Sequence, residues 1–580
     1  WHKMVLIIFF LTLQSFVGAV GLSCTPSNSL LFLPLDERFT TRDAFLNLAE
    51  VSPFCVYTPP VALLPLKKKP SNITALHGWV DATLPSVKTA IISSEMYLYG
   101  GLIASRVSND TLVAISARLD KLVGLTTNYP DLTVFVSNVV MRIPAYNGDT
   151  EEPWYWENYG FDLFSYSFFT DKYNQLHNKS DYATAQYFKS LVPAPVLDKF
   201  VWRRERNHNI TLAMIAVMEG QRERASLVNS AFKFLYITLD DNAQFGFNIR
   251  EAAEIKQKVS EHNLGEVVPV YPGADEVQLV QLARASALFS RQPITIRLVY
   301  RDSSSINSIP NYEGQPMQQT LREQVAAAGA VVAPCLGEKT DKNTDKNTGD
   351  KTGEKRGETA KGQADTVVLT LLVNNFSTQK QREAADQPVP PGGPSQFEMF
   401  TPFIQAASKA NLPVGFCDNR YSNGADIAFV SYMRSQMSGG KMANLAYAGW
   451  NTDGNTIGTV VANLVLLGIL PSSSSSSSSS ATSMAEGMGA NARFNSLRVL
   501  EDMFYQALER QTLVRYVQEL NSTTEVVSNL EPDLGFYTHF TFKLLSAHYH
   551  SIAAAYHLPF TLSSVYFPWN RTFEIGLTLV

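Results

Sequence analysis

The chain of 580 residues is 45% apolar and 17% charged, the balance of an ordinary globular protein, with a net charge of −5. Without a basic surplus it lacks the electrostatic footprint of a nucleic-acid binder. Its length accommodates roughly two to four domains, or one large barrel or doubly wound unit.

In chain order, Lys3, the apolar run 5–11 and the small residues Gly18, Ala19 and Gly21 have the layout of a secretory signal peptide. Residues 1–23 are therefore expected to be a signal peptide, because the apolar run is far shorter than the ~20 residues a membrane span needs. The expected location is the secretory-pathway lumen or outside the cell, with no stable span once the signal is removed. Secretion permits disulfides. The four cysteines, Cys24, Cys55, Cys335 and Cys417, fit no zinc spacing, and either bridges or buried free thiols satisfy them. Sequons begin at Asn72, Asn109, Asn178, Asn209, Asn375, Asn521 and Asn570.

Apolar, β-branched runs predict strands at 30–35, 54–57, 89–93, 132–136, 232–239, 267–271, 294–300, 367–373, 414–417 and 445–448. Helical patterns lie between many of them, at 112–123, 249–262, 276–289, 318–328 and 399–410. Strands that alternate with helices and read as continuous apolar runs imply an α/β fold with a mainly parallel, covered sheet. Either a (β/α) barrel or two open α/β lobes satisfies this pattern, followed by a helical and mixed C-terminal part. The charged run 337–363 and the serine tract 472–480 are too polar to build a core and are expected as disordered inserts. From 24 to 580 the remainder is expected to form one large domain. A long amphipathic helix is expected over 494–520.

In parallel α/β folds ligands bind at the carboxyl ends of strands. Those ends here deliver Asp36, Glu37 and Arg38; Glu95, followed by Tyr99 and Arg106; Asp240, Asp241 and Asn242; Asp275 and Glu276; Asp418, Asn419 and Arg420, followed by Asn423 and Asp426; and Trp450, Asn451 and Asn455. Each alone reads as a helix cap or turn residue; their recurrence points to a shared pocket. The sharpest pairs are Asp240–Asp241 and Asp275–Glu276. Paired carboxyls raise one partner's pKa and so supply the acid that glycoside hydrolysis needs. The segment "GADEV" (273–277) is similar to the "GGDEV" of family 20 β-N-acetylhexosaminidases, a likeness that would make Asp275 the residue that orients an acetamido group and Glu276 the general acid. Tyr97, Tyr99, Trp154, Trp156 and Trp450 are candidate stacking faces for sugar rings.

The same acids, Asp36, Glu95, Asp240, Asp275 and Asp418, offer oxygen ligands for Mg²⁺, Mn²⁺ or Ca²⁺. None of the nine histidines adjoins a strand end, which argues against zinc. Serine-hydrolase elbow, phosphate-binding loop and dinucleotide fingerprint are absent from the sequence.

Seven segments spread over the chain, "PLDERFTTRDAF", "SSEMYLYGGLIASR", "LDDNAQFGFNIREA", "PGADEVQLVQLARA", "DNRYSNGAD", "YAGWNTDGNTIGT" and "RVLEDMFYQ", together resemble the domain-of-unknown-function family 4127. The resemblance implies one large continuous domain in which the two low-complexity runs are inserts and the helix carrying Glu501 and Asp502 belongs to the core. It implies no reaction. The expected function is carbohydrate hydrolysis, extending to N-acetylated sugars, with Asp240, Asp241, Asp275 and Glu276 as acid/base groups and the other strand-end residues binding substrate. Metal-dependent hydrolysis or elimination by the same carboxylates, and non-catalytic sugar binding, are the alternatives.

Overall fold

The computed structural model describes residues 15–17, 23–223, 232–333, 366–376, 380–387, 393–437, 441–470, 478–521 and 529–580. Most of the expected signal peptide, the charged insert and the serine tract up to 477 lie outside these residues. The last three residues of that tract open the helix Ser478–Arg498.

Strands form where β-branched and aromatic residues run together with both faces covered. The first sheet contains β1 (Ser15–Val17), β2 (Ser29–Leu33), β3 (Cys55–Thr58), β4 (Thr89–Ser93), β5 (Thr133–Val140), β6 (Phe234–Leu239) and β7 (Val270–Pro272), in the order β1-β3-β2-β4-β5-β6-β7. All its pairings are parallel except β1 with β3. The second sheet contains β8 (Ile294–Tyr300), β9 (Val331–Val332), β10 (Val367–Asn375), β12 (Val414–Asn419) and β14 (Leu445–Ala448). It is wholly parallel, in the order β14-β12-β10-β8-β9. Two small ladders complete the set, β11 (Arg382–Glu383) with β13 (Tyr421–Ser422) and β15 (Leu562–Tyr566) with β16 (Gly576–Leu579).

The strands therefore divide between two mainly parallel sheets with helices between them, as the expected α/β architecture requires. Among the parallel strands of each, the chain reverses its direction of travel once, with the switch between β2 and β4 in the first and between β8 and β10 in the second. Such reversals open a crevice beyond the strands' carboxyl ends. The registers place those ends side by side: Ser93 is opposite Ser137, Val140 opposite Leu239, and Leu239 opposite Pro272.

Helices Val277–Ser290 and Asp453–Ile469 pack on each other between the sheets. One hydrophobic cluster joins Phe32, Ile91 and Phe135 of the first sheet to Val280 and Leu464 of these helices and to Ile296 and Leu371 of the second sheet. The apolar residues within 460–467 of the second of these helices are thus core. Among the described residues no helix is long and apolar enough to cross a membrane. A disulfide joins Cys24 to Cys55 at the start of β3, and Cys417 is a buried free thiol; Cys335 lies outside the described residues.

The helices Trp156–Leu176, Lys179–Leu191 and Ala194–Glu223 between β5 and β6 were not expected from the sequence; in the first and third the apolar residues do not gather on one stripe. From Ser478 to Asn521 the chain is helical throughout, and the expected amphipathic helix forms the middle and end of this run.

Candidate functional site

Beyond the first sheet's carboxyl ends, acids and arginines alternate in one chain of ion pairs. Arg38, just past β2, donates from Nε to Asp36 Oδ2 (2.9 Å) and from Nη2 to Asp275 Oδ1 (2.6 Å). Its Nη1 lies 3.6 Å from Glu574 Oε2. Glu574 in turn accepts from Arg571 Nη2 (2.7 Å), and Arg571 reaches Glu151 with its other nitrogen. Glu151 and Glu152 meet Arg142 at 3.0 and 2.8 Å. Arg142 Nη1 donates to Asp241 Oδ2 (2.6 Å), and Arg106 pairs with Asp240. The Trp569 ring lies under both Arg38 (4.7 Å) and Arg571 (4.5 Å).

Burying this many charges is unfavourable unless each is paired and hydrogen-bonded. The pairing leaves distinct protonation tendencies. Burial pushes Asp275 up to about 7 in spite of Arg38, with Asp36 and Glu574 adding to the rise. Burial also raises Asp241, and its neighbour Asp240 adds to that. Glu574 is driven up by burial but ends below the usual carboxylate range, because Arg38 and Arg571 both hold it. Glu37 is pushed up to about 7 by burial and by Asp36. Its Oε1 accepts from Lys67 N (2.7 Å) and Trp569 Nε1 (2.6 Å), while Oε2 is buried with no partner among the described residues.

The four residues taken as acid/base groups part company here. Asp240, Asp241 and Asp275 belong to the ion-pair chain and keep partial access to solvent. Glu276 is turned into the interior and is 1% exposed. Its Oε2 accepts from Ala274 N (2.9 Å) and its Oε1 from Gln324 Nε2 (3.2 Å), and burial pushes it up to about 8. Gly273, at φ +148°, makes the room: a Cβ there would lie 2.1 Å from Glu276 Oε1. Gly458 does the same from the helix Asp453–Ile469, where a Cβ would meet Glu276 Cγ at 2.3 Å. Asn455 on that helix accepts from the N–H groups of Ala274 (3.2 Å) and Asp275 (3.1 Å), so the second sheet's helix positions the Asp275 loop.

Of the residues taken to bind substrate, Asp36, Arg38 and Arg106 are in the ion-pair chain, and Glu37 and Asn455 touch it. Glu95 is sealed under Ser93, Ser94, Asn138 and Val139 N. Tyr99 is buried with its hydroxyl on Asn207. Asn242 serves its own turn, donating to Leu239 O and accepting from Asn248.

The others stand at the second sheet's edge. Asp418 and Asp426 share the Asn374 amide (2.9 and 3.1 Å), and Arg420 binds Asp426 (2.9 Å). Burial and Asp426 drive Asp418 well above the usual range, and Asp426 also caps the helix Ile427–Gln436. Asn419 accepts from the Cys417 thiol (2.8 Å). Asn423 donates to Glu383 (2.8 Å) and takes the Asn451 carbonyl through its own N–H (2.8 Å). Trp450 is buried against Phe573 (5.6 Å), whose ring also lies 4.9 Å from the Arg571 guanidinium. Phe573 is thus a second contact between the two carboxyl-end clusters, beside the bonds of Asn455 to the 274–275 turn.

Sequence reasoning missed Arg142, Glu151, Glu152, Trp569, Arg571 and Glu574. The available signal was charge inside the aromatic segment "FPWNRTFEI", where Arg571 and Glu574 stand three apart. Two sequon residues are explained without glycans: Asn72 and Asn178 cap helices by accepting from Ala75 N and Ser180 N. Asn375 is buried, donating to Asp302 O and Ser305 Oγ.

Among the described residues no group of three or more His, Cys, Asp or Glu side chains is placed to hold a metal ion. The carboxylates that the sequence offered to a divalent cation meet arginines, amides and backbone N–H groups instead.

A family model described as "Protein of unknown function (DUF4127)" matches residues 30–578. No curated protein and no solved structure matches the chain.

Proposed function

The chain belongs to the DUF4127 family over nearly its whole length, and since that membership carries no reaction we propose one from the site: hydrolysis of a carbohydrate by acid/base catalysis at the carboxyl end of the first sheet. One observation supports this reading above others. Within a single ion-pair chain, Asp275 sits near 7 on Arg38, and Asp240 stands on a second arginine, Arg106. Two carboxyl groups in one site, one of them pushed up so that it can carry a proton near neutral pH, are the equipment of glycoside hydrolysis. Asp275 donates its proton to the leaving oxygen as the glycosidic bond breaks, Asp240 takes a proton from the water whose oxygen bonds the anomeric carbon, and Asp241 on Arg142 completes the wall. Glu276 is a positioning residue that fixes the 273–275 turn from behind.

The test is a panel of aryl glycosides, N-acetylated ones included, assayed from pH 5 to 8. Asp275→Asn and Asp240→Asn are each expected to lower kcat about 10²–10⁴-fold. No turnover of any member, or full activity in both variants, sinks the reading. Activity abolished by EDTA and restored by Mg²⁺, Mn²⁺ or Ca²⁺ would favour the metal alternative, and a raised Tm without product would favour plain sugar binding.

We also place the protein in the secretory pathway. The Lys3-led apolar run supports this, as does the Cys24–Cys55 bridge, which forms in oxidising compartments. N-terminal sequencing of the expressed protein should begin near residue 24, with the edge strand β1 (Ser15–Val17) removed along with the signal; a chain that retains its first residues, and with them the β1–β3 pairing, would count against it.

A further inference from the structure

Beside Glu152, away from the two sheets' shared core, a groove is lined by Lys68, Asn109, Pro153, Trp154 and Arg203. Trp154 differs from the other aromatics that the sequence offered to a sugar. Tyr97, Tyr99, Trp156 and Trp450 are buried, whereas Trp154 is 61% exposed. An indole left in water forgoes the gain that burial gives the others, and its open face is available to a ligand.

The groove is built rather than loose. Its base is Arg203, which is itself buried. Arg203 donates to the Tyr155 hydroxyl (2.7 Å), to Asn109 Oδ1 (3.2 Å) and to the carbonyls of Val107 and Ser108 (both 3.4 Å). Tyr155 meets Trp154 edge-on at 5.6 Å. Lys68 is matched by Asp149 at 2.9 Å. Lys68 is thus paired with a carboxylate, and Arg203 spends its donors on a phenol, an amide and two carbonyls of the fold, so neither cation is left reaching for an anionic ligand. It presents an aromatic face, an amide with donors and an acceptor, and a polar ion pair, the usual furniture of a neutral polar ring. Glu152 joins it to the ion-pair chain: Oε1 accepts from Arg142 Nε (2.8 Å), and Arg142 Nη1 holds Asp241 (2.6 Å).

We propose that this groove is a sugar subsite in which a neutral pyranose ring stacks on Trp154, its hydroxyls meeting Asn109 and the Lys68–Asp149 pair, while the saccharide continues past Glu152 to Asp240 and Asp241. The proposal rests on the carbohydrate reading above and adds to it that the substrate is a neutral oligosaccharide.

The test titrates the full chain and its Trp154→Ala variant with cellotetraose, chitotetraose, xylotetraose and tetragalacturonate by calorimetry. At least one neutral tetrasaccharide should bind, and Trp154→Ala should weaken it tenfold or more at unchanged Tm. Binding of none of the neutral sugars, binding indifferent to the substitution, or binding of tetragalacturonate alone overturns the subsite. Hydrolysis is scored separately by release of reducing ends. Binding without release keeps the subsite and removes the hydrolase; turnover with an unchanged KM in Trp154→Ala removes the subsite and keeps the hydrolase.

Discussion

Arg38 and Asp275 meet in a two-armed ion pair, Nη2 to Oδ1 at 2.6 Å and Nη1 to Oδ2 at 3.3 Å, across 237 residues of sequence. The same guanidinium also serves Asp36 and Glu574, so one side chain neutralises acids from three parts of the chain. A buried pair is weak support for stability as a whole, but removing one member strands the rest. Arg38→Met should therefore lower unfolding stability at pH 7 by about 3–5 kcal/mol in a urea titration. Arg38→Lys should recover little, because a point charge on a flexible stem cannot serve three carboxylates as a planar fork does. A loss below roughly 1 kcal/mol, the scale of an exposed ion pair, would mean that the acids are not buried as described.

Glu276 gives the molecule a pH dependence of definite sign. Its folded value is near 8 against an ordinary 4.5, because burial penalises the charge. Between those values the unfolded chain has released its proton while the folded one keeps it, so stability falls as pH rises. The contribution is complete below about 4.5 and is gone above about 8. Asp275 and Asp453, each near 7, act in the same direction over pH 4 to 7. Glu574, held low, acts oppositely and loses its contribution as the solution becomes acidic. Thermal melts should show a Tm that declines from pH 5 to pH 8, and Glu276→Gln should flatten the decline. An upward slope over that interval in the parent protein would contradict the burial of these acids.

Gly273 and Glu276 are coupled sterically. A methyl at Gly273 would occupy the space of the Glu276 carboxyl, at a φ of +148° that side chains avoid. Gly273→Ala should cost about 2–3 kcal/mol from strain and overpacking together. Because the clash is with one named group, the cost should be non-additive with Glu276→Ala, and a double-mutant cycle measures the coupling directly. Additive losses would show that the strain at Gly273 is independent of Glu276.

What was legible in the sequence follows from range. All ten expected strands overlap strands of the two sheets, from Ser29–Leu33 to Leu445–Ala448, because a strand covered on both faces must be apolar along its length. The expected helix 112–123 coincides with Leu112–Val123, where Thr111 caps Ala114 N. The ion-pair chain was half legible. Asp36, Arg38, Arg106, Asp240, Asp241 and Asp275 stand at strand ends or shortly beyond, and the α/β rule finds them. Glu151, Arg571 and Glu574 come from segments with no strand-end signature and reach the site only through tertiary packing. Glu276 shows the opposite limit. It stands beside Asp275, yet the turn at Gly273 directs the two carboxyls to different surroundings, one to Arg38 and one to Gln324.

The Cys24–Cys55 bridge offers a prediction independent of the site. It closes a segment of 31 residues that contains β2 and the whole Asp36–Arg38 turn. Loop-closure entropy for such a segment corresponds to about 3–4 kcal/mol of stabilisation, exerted on the unfolded chain. Cys55 is fully buried at the start of β3, beside Ser29 of β2, so loss of the bridge also loosens the strand that carries Arg38. Cys55→Ser should lower stability by at least that entropic amount, whereas Cys24→Ser, at an exposed position, should show the entropic part alone. Cys417 has no part in this, being a buried free thiol on the second sheet. A thiol titration of the native protein should leave Cys24 and Cys55 unreactive until a reductant is added. Free reactivity at Cys24 without reductant would show that the bridge does not form.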